Sequence, residues 1–258
     1  MVSLHSNNIK SQMKILHIIG EYLLLMKRVF SPPQKMSYFR RELVKNINIL
    51  GLDSFLMVTV ISIFMGAVLT IQAALQSESS WVPAWTIGFI IRQSVILEFS
   101  PTMVSLFLAG KMGSNIASEI GTMKVTEQVD ALETMGINSA SHLLLPKITA
   151  CAIVNPILIV ISMFLCMVGG WCVCVLFGTI PPEHYIEGLR AFFRSYDIYY
   201  ALVKTLVFAV LIASISGFYG YRTEGGALEV GKASTQAVVN SSFSILLFNV
   251  ILTKIFLG

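Results

Sequence analysis

The chain has 258 residues, 55% hydrophobic and only 12% charged, with a formal net charge of +4. A soluble domain carries about a quarter charged residues, so this balance excludes an ordinary soluble enzyme and places the chain in a membrane. The small positive excess then concerns the orientation of the chain in the bilayer and gives no reason to invoke nucleic acid.

The first element is "KILHIIGEYLLLMKRVF". Helical spacing puts Ile15, Ile18, Ile19, Tyr22, Met26 and Val29 on one face and Lys14, His17, Glu21 and Arg28 on the other. The run is too broken by charge for a signal-peptide core, and no A-x-A-like site follows it. "SPP" at Ser31 to Pro33 stops it, because proline disfavours helix for the residue before it. A basic amphipathic helix lying on the cytoplasmic leaflet is expected; an ordinary helix packed on protein is the alternative. Residues 1–50 thus form an interfacial region ahead of a transmembrane domain at 51–258.

Five segments can span a bilayer: about Ser54 to Leu75, Thr86 to Gly110, a stretch within Ile148 to Ile180, Tyr199 to Tyr221, and Gln236 to Leu257. Each satisfies its backbone internally as a helix, as lipid demands. The first 50 residues hold eight Lys and Arg (Lys10, Lys14, Lys27, Arg28, Lys35, Arg40, Arg41 and Lys45), and the loop from Gln76 to Trp85 holds none. Lys111, Lys124 and Lys147 flank the next connection, and Arg222 and Lys232 the last; Arg190 and Arg194 are outweighed by Glu183, Glu187 and Asp197. The bias predicts a cytoplasmic N-terminus and an external C-terminus. The rows Ser62, Gly66, Thr70 and Ala209, Ala213, Gly217 predict close helix contacts.

Cys151, Cys166, Cys172 and Cys174 fall in or beside one apolar run without zinc spacing, so they read as reduced, buried hydrophobes. "GALEVGKAS" from Gly226 imitates a phosphate-binding loop, but Ala233 stands where Ser or Thr must hold magnesium. The histidines are scattered outside the spans, and no catalytic, metal or cofactor motif emerges. Two ionisable groups lie inside spans, Glu98 and Lys204. A charge at the centre of a span costs about 2.5–3.5 kcal/mol and normally faces a cavity or a partner. Lys204, near the outer end of its span, can snorkel; Glu98 lies deep and is the stronger candidate for function.

The densest charged segment, "ASEIGTMKVTEQVDALETMG", runs from Ala117 to Gly136 between the second and third spans. On one helix, Val125, Val129, Leu132 and Met135 form a stripe, with Glu127, Asp130 and Glu133 opposite. An acidic amphipathic helix is repelled by an anionic leaflet and suits a groove on another protein. It is expected to carry motion from a soluble engine to the membrane.

At these residues the chain resembles a family. "LEFSPTMVSLFLAGKMGSNIASEIGTMKVTEQVDALETMG" is similar to the signature of MlaE-type permeases, subunits of ABC transporters that move lipids, and "GALEVGKASTQAVVNSS" to a second signature. The resemblance implies an all-α homodimer in the inner membrane of a diderm bacterium, with an interfacial helix and five spans. It implies phospholipid transport driven by a separate cytoplasmic ATPase, with a periplasmic MCE-domain partner. By motif position it implies lipid contact at Leu69, Gln72, Ala73, Leu97, Glu98, Pro101 and Asn249, with Lys204 beside them. It implies ATPase coupling through Glu119, Val125, Glu127, Val129, Asp130, Leu132 and Glu133. Leu97 stands where an Arg is frequent, Ser100 where Gly is frequent, and Asn249 where an acid is common. The residues alone leave a second reading open, an autonomous ion-coupled carrier or channel using Glu98 and Lys204.

Overall fold

The computed structural model describes residues 2–31, 36–76 and 83–257, with side chains from Leu16 to Phe256. Lys35, Pro32 and Pro33 of the helix stop, most of the first loop, and the side chains of Lys10, Lys14, Ile15 and Leu257 lie outside the described residues. The described residues form helices α1 (Val2–Val29), α2 (Met36–Gln76), α3 (Trp85–Val125), α4 (Gln128–Thr134), α5 (Ser139–Phe177), α6 (Pro182–Arg190), α7 (Ser195–Tyr221) and α8 (Ala227–Leu257). Five of them, α2, α3, α5, α7 and α8, are long and apolar enough to cross a membrane. At 1.5 Å per residue the 41 residues of α2 reach about 60 Å, twice the hydrocarbon thickness. The helices therefore outrun the apolar segments that announce them, and α2 passes without a break through residues 50 and 51.

α2 buries one narrow stripe, Asn46, Leu50, Ser54, Val58, Ser62, Gly66 and Thr70, spaced four apart along its length. The stripe packs mainly against α5. Small residues let the two backbones touch: a Cβ on Gly66 would lie 1.9 Å from the carbonyl oxygen of Cys166, and one on Gly169 2.2 Å from that of Ile63. Ser62 Oγ lies 2.8 Å from Ser162 Oγ, which lies 3.0 Å from Ser100 Oγ, so one hydroxyl row ties α2, α5 and α3. The Ala209, Ala213 and Gly217 row is likewise buried, with Gly217 against Leu144 of α5. All four cysteines are free; Cys151, Cys166 and Cys174 are buried as small apolar fillers, whereas Cys172 is only half-buried, contrary to the expectation for all four.

α3 is not a regular helix. It takes wide π turns over Val95–Val104 and again over Ala109–Gly113, with Pro101 inside the first. Proline supplies no N–H to the turn before it, and a local widening accommodates that loss. Near its start, Arg92 is buried and donates to the carbonyls of Leu189 (2.9 Å), Ala191 (2.7 Å) and Phe192 (3.3 Å). It closes the C-terminal end of α6, where free carbonyls favour a cation.

α1 departs from its expected disposition. Ile18, Tyr22, Leu25, Met26 and Val29 pack onto the protein core, and Tyr22 is hydrogen-bonded to Ser214 of α7 at 2.8 Å. The face read as leaflet-bound is thus largely protein-bound. A second apolar set, Leu16, Ile19, Leu23, Leu24 and Phe30, remains exposed. The apolar residues thus cover most of the helix's circumference, and His17, Glu21 and Arg28 gather in one narrow sector.

Candidate functional site

The two ionisable residues singled out inside the spans meet. Lys204 of α7 places Nζ 2.9 Å from Oε1 of Glu98 on α3 and 3.0 Å from the carbonyl oxygen of Leu97. Its side chain is 0% exposed, whereas that of Glu98 is 41% exposed. Lys204 therefore does not snorkel to the outer end of its span. An ammonium with a carboxylate and a carbonyl within reach loses less by turning inward than by remaining near lipid without a partner.

The remaining lone pairs of Glu98 are also taken. Asn249 of α8 donates to Oε2 at 3.2 Å, Thr102 Oγ1 lies 3.2 Å from the same oxygen, and Thr253 donates to Oε1 at 3.2 Å. Thr102 is also 3.1 Å from Asn249 Oδ1, and Tyr200 OH is 2.9 Å from Thr253 Oγ1. The Tyr200 ring lies under the ammonium, 5.1 Å from its centroid. One carboxylate thus joins α3, α7 and α8, and half of its side chain still faces outward.

This network gathers Leu97, Glu98, Lys204 and Asn249, with Pro101 buried in the same turns. Leu69, Gln72 and Ala73 stand apart on α2, where Leu69 and Ala73 pack on the core and Gln72 is exposed. Sequence reasoning missed Thr102, Tyr200 and Thr253. Each lies four residues from a residue already singled out (Glu98, Lys204 and Asn249), so helical spacing carried the signal.

The second candidate region differs from the helix expected of it. The end of α3 covers Ser114–Val125, the chain breaks at Glu127, whose φ is 60°, and α4 is only seven residues long. Val125 and Val129 therefore do not share one continuous helical stripe. Val129 is fully buried, Val125 and Leu132 are half-buried, and Met135 is exposed. The acids do not form a free face either. Glu119 pairs with Lys147, and Asp130 with Lys124 at 2.6 Å. Glu133 Oε1 accepts from Ser139 Oγ at 2.8 Å and Tyr221 OH at 2.9 Å. These two donors hold the Glu133 carboxyl below the ordinary carboxylate range. Asn138 also donates to the carbonyl of Arg28 at 3.0 Å, and Ser141 to that of Ser31 at 2.8 Å, which ties the end of α1 to the start of α5.

Five helices long and apolar enough to cross a membrane, with an ion pair joining two of them, define a polytopic membrane protein. Residues 43–255 match the family described as Permease MlaE. A probable ABC transporter permease of Rickettsia bellii is 34% identical over 251 residues, covering 96% of this chain and 95% of the relative. A probable ABC transporter permease of Synechocystis is 35% identical, covering 83% and 81%. The intermembrane phospholipid transport system permease protein MlaE of Haemophilus influenzae is 29% identical, covering 91% and 90%. The chain belongs to the MlaE family of ABC transporter permeases.

Proposed function

We propose that the chain moves phospholipid between the inner and outer membranes of a diderm bacterium, as one half of a homodimer driven by a separate ATPase. The observation that carries this reading is the half-exposed Glu98 carboxylate, anchored from behind by an enclosed Lys204 within a permease of this family. A carboxylate with its counter-charge fixed behind it can meet a headgroup without being stranded in lipid. The Haemophilus relative is named for intermembrane phospholipid transport, which supports the substrate class.

Lipid then meets Leu97, Glu98 and Asn249, with Leu69, Gln72 and Ala73 on a neighbouring wall and Lys204 acting through Glu98. α8 supports a second copy or lipid alongside: Phe243, Leu246, Leu247 and Val250 on its outer side are exposed. The N-terminus is cytoplasmic and the C-terminus periplasmic, following the positive residues. The ATPase docks on the segment from Glu119 to Met135, chiefly at the exposed Glu127 and Met135, with the half-buried Leu132 beside them. An MCE-domain protein receives or delivers lipid on the periplasmic side. An ion-coupled carrier fits less well, because it needs Glu98 and Lys204 to exchange ions and the ammonium has no exposed surface.

A photocrosslinker at position 98 of the assembled complex tests the reading. Phospholipid capture that changes with nucleotide state, together with slow transport by Glu98→Gln, is expected. Wild-type transport by Glu98→Gln with no lipid captured at 98 would overturn the lipid-site assignment. Purification of a fully active carrier without a stoichiometric ATPase would overturn the ABC reading.

A further inference from the structure

We infer that Lys204 is a positioning residue for α3: its ammonium holds the widened turns around Pro101 by binding the Leu97 carbonyl, and so fixes where Glu98 points. In an α-helix the N–H of residue 101 reaches the carbonyl of residue 97. Pro101 has no N–H, so that bond cannot form. At this point α3 takes π turns, whose i→i+5 register turns that carbonyl toward residue 102 instead, and it also receives Lys204 Nζ at 3.0 Å. The same ammonium reaches Glu98 Oε1 at 2.9 Å. Two of its three protons are thereby aimed at consecutive residues of one turn. Lys204 itself is fully enclosed, so no ligand touches it; it acts through the backbone and side chain it holds.

The geometry separates this role from that of a simple counter-ion. A counter-ion needs only the carboxylate. The Leu97 bond ties Lys204 to the backbone of the segment that carries both Glu98 and Thr102, the two α3 groups facing Asn249. Tightening of these turns to α-helical register would rotate Glu98 about the helix axis, away from Lys204 and Asn249. The proline opens the turn and the lysine holds it open. This deepens the transport reading and rests on it only for the consequence for lipid; the test below reads the backbone.

Hydrogen exchange of peptides covering residues 95–105 is measured on the full-length protein in nanodiscs, with peptides around Ser162 of α5 as the internal reference. Lys204→Met is expected to speed exchange of 95–105 about tenfold, the scale of one lost charge-assisted hydrogen bond. Glu98→Gln keeps the Leu97 bond and should leave that segment within about twofold of the unmodified protein. Adding Pro101→Ala to Lys204→Met restores a backbone donor and should recover at least half of the effect on a logarithmic scale. Unchanged exchange in Lys204→Met overturns the inference. So does an acceleration that Pro101→Ala leaves untouched, or one matched by Glu98→Gln, since either makes Lys204 a partner of Glu98 alone. Should Lys204→Met not accumulate, recovery of folded protein on adding Pro101→Ala carries the same test, and failure of that rescue overturns it. Loss of the phospholipid reading would leave these exchange results standing.

Discussion

Among the described residues two lysines lie buried, each beside a glutamate that keeps nearly half of its side chain exposed. Lys204 is 0% exposed beside Glu98 at 41%, and Lys147 is 6% exposed beside Glu119 at 48%. The resemblance ends with their further partners. Glu98 is held by Thr102, Asn249 and Thr253 as well, from two other faces of the network. Each lysine has one further acceptor, the carbonyl of Leu97 for Lys204 and Asn46 Oδ1 at 3.1 Å for Lys147, so the pairs differ in the donors gathered around the glutamate. Deep in the bundle, protein donors gather on the inner side of the carboxylate while its outer side stays open; nearer the end, fewer protein groups are needed because water is at hand.

The sharpest way to break this comparison is to remove each carboxylate. Glu98→Leu strands a fully enclosed ammonium and is expected to cost about 3–5 kcal/mol of stability. Glu119→Leu leaves the buried Lys147 with Asn46 as its acceptor and should cost less, about 1–3 kcal/mol. Thermal stability of the two variants in detergent, followed by size-exclusion fluorescence, measures the difference. Equal losses would show that depth and partner number do not separate the pairs.

A smaller effect probes the Glu119 end of the molecule as a docking surface. Leu132→Asp is expected to weaken recovery of the ATPase about tenfold, by placing an unpaired charge in the contact. Insertion of the permease should be unaffected, since Leu132 is only half-buried in its own chain. Full ATPase recovery in a pull-down from membranes would remove the docking role.

The smallest expected effect concerns Glu133, whose folded-state pKa is lowered by its bonds to Ser139 and Tyr221. A depressed carboxylate pKa contributes stability at neutral pH that is lost as pH falls through the folded value. Tyr221→Phe removes one donor and should cost about 0.5–1.5 kcal/mol at pH 7. The gap between this variant and the unmodified protein should narrow as the pH is lowered through and below the carboxylate range. A gap independent of pH would place the effect of Tyr221 elsewhere, at its contact with Ser139.

The readings that failed share a cause. The stripe through Val125, Val129 and Leu132 assumed one helix, and a positive φ at Glu127 divides it. Of the acids placed opposite it for a partner, Asp130 and Glu133 are engaged within the chain, by Lys124 and by Ser139 and Tyr221. The α1 face assigned to the leaflet is used against α5 and α7. Amphipathic spacing reports that a face is apolar; it does not report what lies against that face.

Composition and hydropathy alone determined that this is an all-α membrane protein with five spans, because lipid admits few other ways to satisfy a backbone. They also marked Glu98 and Lys204, because an ionisable group at membrane depth is costly enough to stand out. Tertiary structure decided that the two are one pair. They lie 106 residues apart on α3 and α7, and no local spacing links them. It also decided which of them is enclosed: Lys204 sits where three helices converge, and Glu98 lies on the open side of α3, so only one of the two side chains reaches the surface.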